Sequence, residues 1–197
     1  MRLSLIIVFL ILLIDQISKF WVKLNMHYNE SISVAGDWFY IHFIENPGMA
    51  FGLEFGGSFG KIALTVFRMV AIVGLGYYLF FRKENRKNKA LNISLSLILA
   101  GALGNLIDSI FYGVIFSAST PYQLATLFPE GGAYGTWLQG KVVDMLYFPL
   151  IESTWPSWVP MVGGQDFIFF RPIFNIADSA ISVGVALLVI FQKKVFK

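Results

Sequence analysis

Long apolar runs alternate with short clusters of polar residues along this chain. The apolar runs extend from Leu3 to Leu24, Ile62 to Phe81, Ala90 to Gly113 and Phe174 to Phe191. Each is close to the ~20 residues that a helix needs to cross a bilayer. Between them lie one tight basic connection and two longer segments, residues 25–61 and 114–173, whose apolar residues are largely aromatic and whose breaks are Gly, Pro and Asn. In the first, Trp38 to Ile44 (WFYIHFI) reads as a short strand ended by the turn former Asn46-Pro47-Gly48, and in the second Phe167 to Phe170 reads as another. Trp137, Trp155 and Trp158 read as interfacial anchors. The pattern predicts a membrane all-α fold with a small β element, organised as a single domain over residues 1–197. Four transmembrane helices would carry a β-containing cap and an amphipathic stretch on one membrane face.

The basic residues set the orientation. Arg2, then Arg82, Lys83, Arg86, Lys87 and Lys89, then Lys193, Lys194 and Lys197 fall on one side of a four-span chain. The positive-inside rule makes that side, and both termini, cytoplasmic. No small-x-small cleavage site follows the first run, and Asp15, Lys19 and Trp21 continue it, so an uncleaved helix is expected rather than a signal peptide. Composition agrees: 56% of the 197 residues are hydrophobic and only 14% charged, too few charges to coat a soluble domain of this length. The absence of cysteine removes disulfides and thiolate chemistry, and two histidines, His27 and His42, argue against a metal cluster. The net charge of +3 is no nucleic-acid signal, because the basic residues gather at helix ends.

Polar residues inside the spans carry the chemistry. Asp15 and Lys19, spaced i,i+4 with the acid first, share a helix face and can pair. Asn105 with Asp108, and Asn175 with Asp178, are each spaced i,i+3; Asp144 sits in the apolar context Val142 to Leu146. With Arg68, those in the spans belong to their outer halves, Asp144 lies on the outer segment before the fourth, and the inner halves are essentially apolar. A proton or ion pathway would place polar groups across the whole thickness, whereas an enzyme acting at the outer surface needs them at one depth. Each residue alone has a structural reading. Asp15 with Lys19 can be an ion pair within the bundle, Arg68 a snorkelling arginine, Asn105 interhelical glue and Asp178 an acid favoured at a helix start. The reading for Asp178 weakens when Asn175, Asp144, Asp108 and Asn105 must also be explained at the same level. A small proton-coupled transporter and a non-enzymatic scaffold remain the rival classes.

The order DQISK from Asp15, ENPGMAFG from Glu45, GNLID from Gly104, VVDM from Val142 and FNIADS from Phe174 resembles the lipoprotein signal peptidases (signal peptidase II), bacterial membrane aspartic proteases. The resemblance spans most of the chain. It implies Asp144 and Asp178 as the catalytic aspartates, with Asp15, Lys19, Asn46, Gly48, Asn105, Asp108 and Asn175 in support. It implies removal of the signal peptide from diacylglyceryl-modified prolipoproteins by cleavage before the lipidated cysteine. It further implies a monomer in the phospholipid of the bacterial inner membrane, an active site at the periplasmic face, sensitivity to globomycin, and no cofactor, metal or nucleic-acid partner. Two carboxylates at short range cannot easily both ionise, so such a pair is expected to hold one proton between them. There are two departures. Ser109 stands where the family commonly has arginine after the GNxxD aspartate, and residues 116–139 form a longer segment than the family's compact form.

Overall fold

A computed structural model describes residues 2–47, 57–81, 88–169 and 172–192. Gly48 and Arg171, with the basic residues at 82–87 and 193–197, lie outside the described residues. The fold is mostly helical with a small antiparallel sheet, and three helices are long and apolar enough to cross a membrane.

Helix α1 (Arg2–Asn25) is built inside out. Its buried residues are Ser4, Asp15, Lys19, Val22 and Lys23, while Phe9, Leu13, Ile14 and Ile17 are exposed. The charged stripe, repeating every four residues, faces the bundle, and the leucines and isoleucines face outward. That polarity suits a helix whose outer solvent is lipid. Helix α2 (Gly57–Phe81) buries Thr65, Ile72 and Leu79, a seven-residue spacing that makes a narrow seam against the next helix. It begins five residues before the sequence-predicted start at Ile62. Arg68 therefore lies three turns into the helix rather than near its end.

Helix α3 (Lys89–Ile107) is the central pillar and packs against α1, α2 and the last helix. Asn88 caps it by accepting the Leu91 N–H at 3.1 Å. It runs on through a π-helical turn, Asp108–Tyr112, into a short α4 (Gly113–Ile115). Helix α5 (Ile176–Ile190) spans fifteen residues, about 22 Å at 1.5 Å per residue. Phe174, predicted as the start of this span, instead belongs to a strand, because Asn175 stops the strand and caps the helix.

Small residues let α3 and α5 meet backbone to backbone. A Cβ added at Gly101 would run into the Ala177 carbonyl and the Ile181 side chain, and one at Gly184 would come within 2.7 Å of the Ser94 carbonyl oxygen. In lipid, where burial of apolar area gives no drive to associate, such close approach supplies the packing energy. Gly101 and Gly104 are the contact positions on α3.

The four-stranded sheet has the order β1-β2-β3-β6, formed by Ser31–Ala35, Phe39–Asn46, Val142–Tyr147 and Ile173–Phe174. Strand β2 follows the predicted Trp38 to Ile44 run but extends to Asn46. Strand β3, not anticipated from the sequence, lies inside the sheet. Val143 and Met145 on one face join a core with Val22, Met26, Phe43, Tyr112 and Phe116. The alternation of a strand sends Asp144 to the opposite face. A separate hairpin pairs β4 (Ile151–Thr154) with β5 (Asp166–Phe169); Phe170, the predicted end of that strand, lies outside the described residues. Trp137 and Trp158 are exposed, as interfacial anchors require, and Trp155 less so.

Gly101→Val should open the α3–α5 seam and cost about 1–3 kcal/mol of stability as an overpacking change. Gly74→Val, where nothing lies within 4 Å of an added Cβ, serves as the neutral control. Thermal unfolding in detergent should separate the two, and equal midpoints would contradict the packing described.

Candidate active site

The site is assembled around one buried ammonium. Lys19 Nζ lies 2.9 Å from Asp15 Oδ2, 2.8 Å from Asp108 Oδ2 and 3.0 Å from Asn105 Oδ1. All three charged side chains have 0% exposure. Lysine carries three donors and no acceptor, and here each donor has a partner. Gly104 makes room for this cluster, since a Cβ there would stand 2.6 Å from Asp15 Oδ2. Gln16, adjacent to Asp15, donates to Asp108 Oδ1 at 3.0 Å and accepts from the Tyr112 hydroxyl at 3.2 Å.

The two acids then reach outward to the backbone. Asp15 Oδ1 accepts the Ala177 N–H at 2.9 Å, one of the free donors at the start of α5. Asp108 Oδ2 accepts the Val143 N–H on β3 at 3.3 Å. The buried cluster thus holds both elements that carry Asp144 and Asp178.

Two asparagines connect the cluster to those aspartates. Because Lys19 only donates, Asn105 must turn its oxygen toward it and its amide nitrogen away. That nitrogen donates to Asp178 Oδ1 at 2.8 Å. Asn175 caps α5, its oxygen accepting the Asp178 N–H at 2.8 Å, with the reciprocal Asn175 N–H to Asp178 Oδ2 contact at 3.4 Å completing a capping box. The cap directs the Asn175 amide nitrogen to Asp144 Oδ1 at 2.7 Å and to Asn105 Oδ1 at 3.1 Å. Asn46, at the end of β2, donates to Asp144 Oδ2 at 3.3 Å.

The two aspartates sit in different surroundings. Asp144 is 2% exposed. Burial and, after it, the negative charge of Asp178 push its carboxyl up to about 7, against the opposing pull of the Asn46 hydrogen bond and Lys19. Asp178 is only partly buried and lines a cleft of about 280 Å³ between α2, α3 and α5. Asn105 and Arg68 join it there, with Phe67, Leu75, Ile98 and Ile181 among the apolar walls.

A second buried cluster secures β2. Lys23 pairs with Glu45, which also accepts from Ser119 Oγ at 2.9 Å and from Lys141 at 3.2 Å. Burial works against ionised Glu45, but Lys23, with Lys141 and Ser119, outweighs it and holds the carboxyl below its usual range. Glu45 precedes Asn46, so this cluster fixes the strand end that touches Asp144.

The structure brings together Asp15, Lys19, Asn46, Asn105, Asp108, Asp144, Asn175 and Asp178, every described residue that the resemblance implies for the site. Gly48 lies outside the described residues. The Asn175 side-chain amide reaches Asp144, its backbone N–H meets Asp178 Oδ2, and Asn105 holds Asp178 Oδ1. Two contributors were not anticipated. Gln16 stands next to the acid in DQISK, off the i,i+4 face that drew attention to the pair. Arg68 was read as snorkelling because nothing in an otherwise apolar run shows which way it turns. Ser109 is buried, with its hydroxyl donating to the Asn105 carbonyl at 2.9 Å. Among the described residues no group of three His, Cys, Asp or Glu is arranged to hold a metal ion.

This constellation can be compared with known proteins. The family model described as signal peptidase (SPase) II matches residues 7–193. The chain belongs to the signal peptidase II family. A lipoprotein signal peptidase of Porphyromonas gingivalis is 53% identical over 186 residues, covering 93% of this chain and 80% of that protein. The lipoprotein signal peptidase of Amoebophilus asiaticus is 42% identical over 190 residues, covering 95% and 76%. A solved structure of a bacterial membrane enzyme, obtained by the in meso method at 1.9 Å resolution, superposes with a TM-score of 0.65 at 25% identity, covering 98% of this chain and 93% of that one. Within this signal peptidase II, GNLID supplies the Asn105–Asp108 arm of the network, and FNIADS supplies the helix cap.

Replacing Lys19 by Met should leave Asp15 and Asp108 buried without their cation and destabilise the protein by about 3–5 kcal/mol. Adding Asp108→Asn to Lys19→Met should recover part of that loss. Unfolding midpoints in detergent test this; a single variant as stable as the wild type would remove the cluster's structural role.

Proposed function

We propose that this membrane protease removes the signal peptide from diacylglyceryl-modified prolipoproteins, using Asp144 and Asp178 as an aspartic dyad. Membership of the signal peptidase II family supports the peptidase activity and its prolipoprotein substrates. One observation carries the assignment of the dyad. Two carboxylates from separate elements, β3 and α5, are oriented by Asn175 and Asn105, and those two amides also bond each other.

The chemistry follows from the unequal surroundings. Near neutral pH the buried Asp144 keeps the shared proton, and Asp178 faces the cleft. Asp178 takes a proton from a water as that water attacks the scissile carbonyl. Asp144 donates a hydrogen bond to the developing oxyanion and then helps protonate the leaving amine. The two groups titrate as a pair, so a measured value belongs to both. Asn105 and Asn175 hold the carboxyls in place before substrate arrives, which lowers the reorganisation needed at the reacting centre. Asp15, Lys19 and Asp108 act as positioning residues, being fully buried and bonded to the elements that carry the dyad. Cleavage falls before the lipidated cysteine, whose acyl chains stay in the membrane.

The membrane setting is of the same kind. The three long apolar helices support a multi-pass protein. In our reading α5, short as its helical part is, makes a fourth span, with both termini cytoplasmic and the dyad at the periplasmic face of a bacterial inner membrane. The enzyme acts as a monomer, since residues of one chain complete the polar network.

Asp144→Asn and Asp178→Asn should each abolish cleavage of a diacylglyceryl-modified lipobox substrate in detergent while leaving the unfolding midpoint close to wild type. Turnover retained by either variant would remove that residue from the dyad. A protonated Asp144 is required, so kcat/KM should fall as pH rises through about 7. A profile flat from about pH 6 to 9, roughly one unit below to two above that value, would contradict the assigned proton.

A further inference from the structure

The strand that carries Asn46 reaches Asp144 in a register that the rest of its ladder does not dictate. Strand β2 opposes β3 with Tyr40 at Tyr147 and Ile41 at Leu146, then with Ile44 at Asp144, Glu45 at Val143 and Asn46 at Val142. Between Ile41 and Ile44, β2 therefore uses one residue more than β3, the mark of a β-bulge. Without that extra residue the first register would run on, setting Glu45 opposite Val142 and Asn46 opposite Lys141. A slip of one residue sends every side chain to the other face of the sheet. Asn46 would leave the face of Asp144, and Glu45 would bring a third carboxylate to it.

The group that meets the bulged register lies on the core face. There Glu45 pairs with Lys23, the two side chains being 3% and 0% exposed. The Lys23 ammonium stands over three rings, Phe43 at 6.0 Å and Phe116 and Tyr134 each at 5.1 Å. Phe116 and Tyr134 come from the long segment at 116–139, which also sends the Ser119 hydroxyl to Glu45. A buried ion pair is weak evidence of added stability, and its best-attested use is to select one register among several. We propose that the Lys23–Glu45 pair is a register lock. By holding Glu45 on the core face it selects the bulged register, and that register brings the Asn46 amide to 3.3 Å from Asp144 Oδ2. Lys23 and Glu45 are then positioning residues that act on the dyad through Asn46. Their effect on turnover rests on the peptidase reading above, whereas the register itself does not.

The chain has no cysteine, so an introduced pair reports the register alone. Full-length protein carrying Asn46→Cys and Val142→Cys should form a disulfide on oxidation in detergent. Directly opposed residues lie about 4.5–5.5 Å apart at Cα, within disulfide reach, and a one-residue slip would put the two thiols on opposite faces. Adding Lys23→Met should cut the yield about fivefold or more, and exchanging the charges instead, Lys23→Glu with Glu45→Lys, should return it to within about twofold. With positions 46 and 142 native, Lys23→Met should lower kcat on a diacylglyceryl-modified lipobox substrate about tenfold and leave KM within about threefold. Asn46→Ala should do the same, and the two changes together should cost no more than about twofold beyond Asn46→Ala alone. Multiplied losses in kcat overturn the route through Asn46. A folded Lys23→Met protein, judged by its unfolding midpoint, that forms the disulfide as fully as its parent overturns the lock. If that variant does not fold, the charge-exchanged protein decides, and its failure to fold or to form the disulfide overturns the lock as well. If the unsubstituted protein cleaves no substrate, the proposed function falls, and the disulfide yields still decide the register.

Discussion

A single ammonium, Lys19, sets the register of the parts that make up the site. Helices in lipid gain little from burying apolar surface against one another, so polar bonds and close packing decide how they sit. Lys19 ties α1 to α3 through Asp108 and Asn105. It holds Asp15 in the geometry that receives the first free N–H groups of α5, and Asp108 in the geometry that receives the backbone of β3. Two anions around one cation would be a poor arrangement in an apolar core unless their remaining lone pairs were filled. Gln16, Ala177 and Val143 fill them.

Orientation passes outward from the same cation. An asparagine amide can bond either way round, and a donor-only neighbour removes that freedom. Lys19 fixes Asn105, and the helix cap fixes Asn175, so both amide nitrogens point at the two aspartates. The carboxyls are met by donors already in place. The asymmetry between them comes from burial: β3 is covered on both faces, whereas the first turn of α5 opens onto the cleft. That difference in burial, rather than any difference in side chain, sets the two carboxyls apart.

Much of this was legible in sequence because it is local. The i,i+4 spacing of Asp15 and Lys19 predicts a pair on one helix face, and Asn175 with Asp178 at i,i+3 has the spacing of a helix cap. What was not legible depends on tertiary partners. Strand β3 reads as an apolar stretch with one acid because it is buried on both sides, which erases the alternation that marks a half-exposed strand. Asp178 Oδ1 takes its partner from α3, at a sequence distance of 73 residues. The direction of Arg68 depends on where α2 begins, and an apolar run does not mark its own first turn.

The long segment at 116–139 belongs to the same frame. A π-helical turn at Asp108–Tyr112 inserts one residue into α3 and leaves carbonyls without their usual intrahelical donors. In a membrane protein such groups cannot be left bare. The segment and the residues that follow it supply the donors: Gly140 N–H reaches the Ser109 carbonyl at 2.9 Å, Leu138 N–H reaches Ile110 at 3.3 Å, and Gly135 N–H reaches Gly113 at 2.9 Å. Gly140 is needed for this approach, since a Cβ there would collide with the Asp108 carbonyl. The π turn starts at Asp108, the residue that bonds both Lys19 and β3. An extension that satisfies the turn therefore also stabilises the helix geometry that presents Asp108, and through it the strand that presents Asp144.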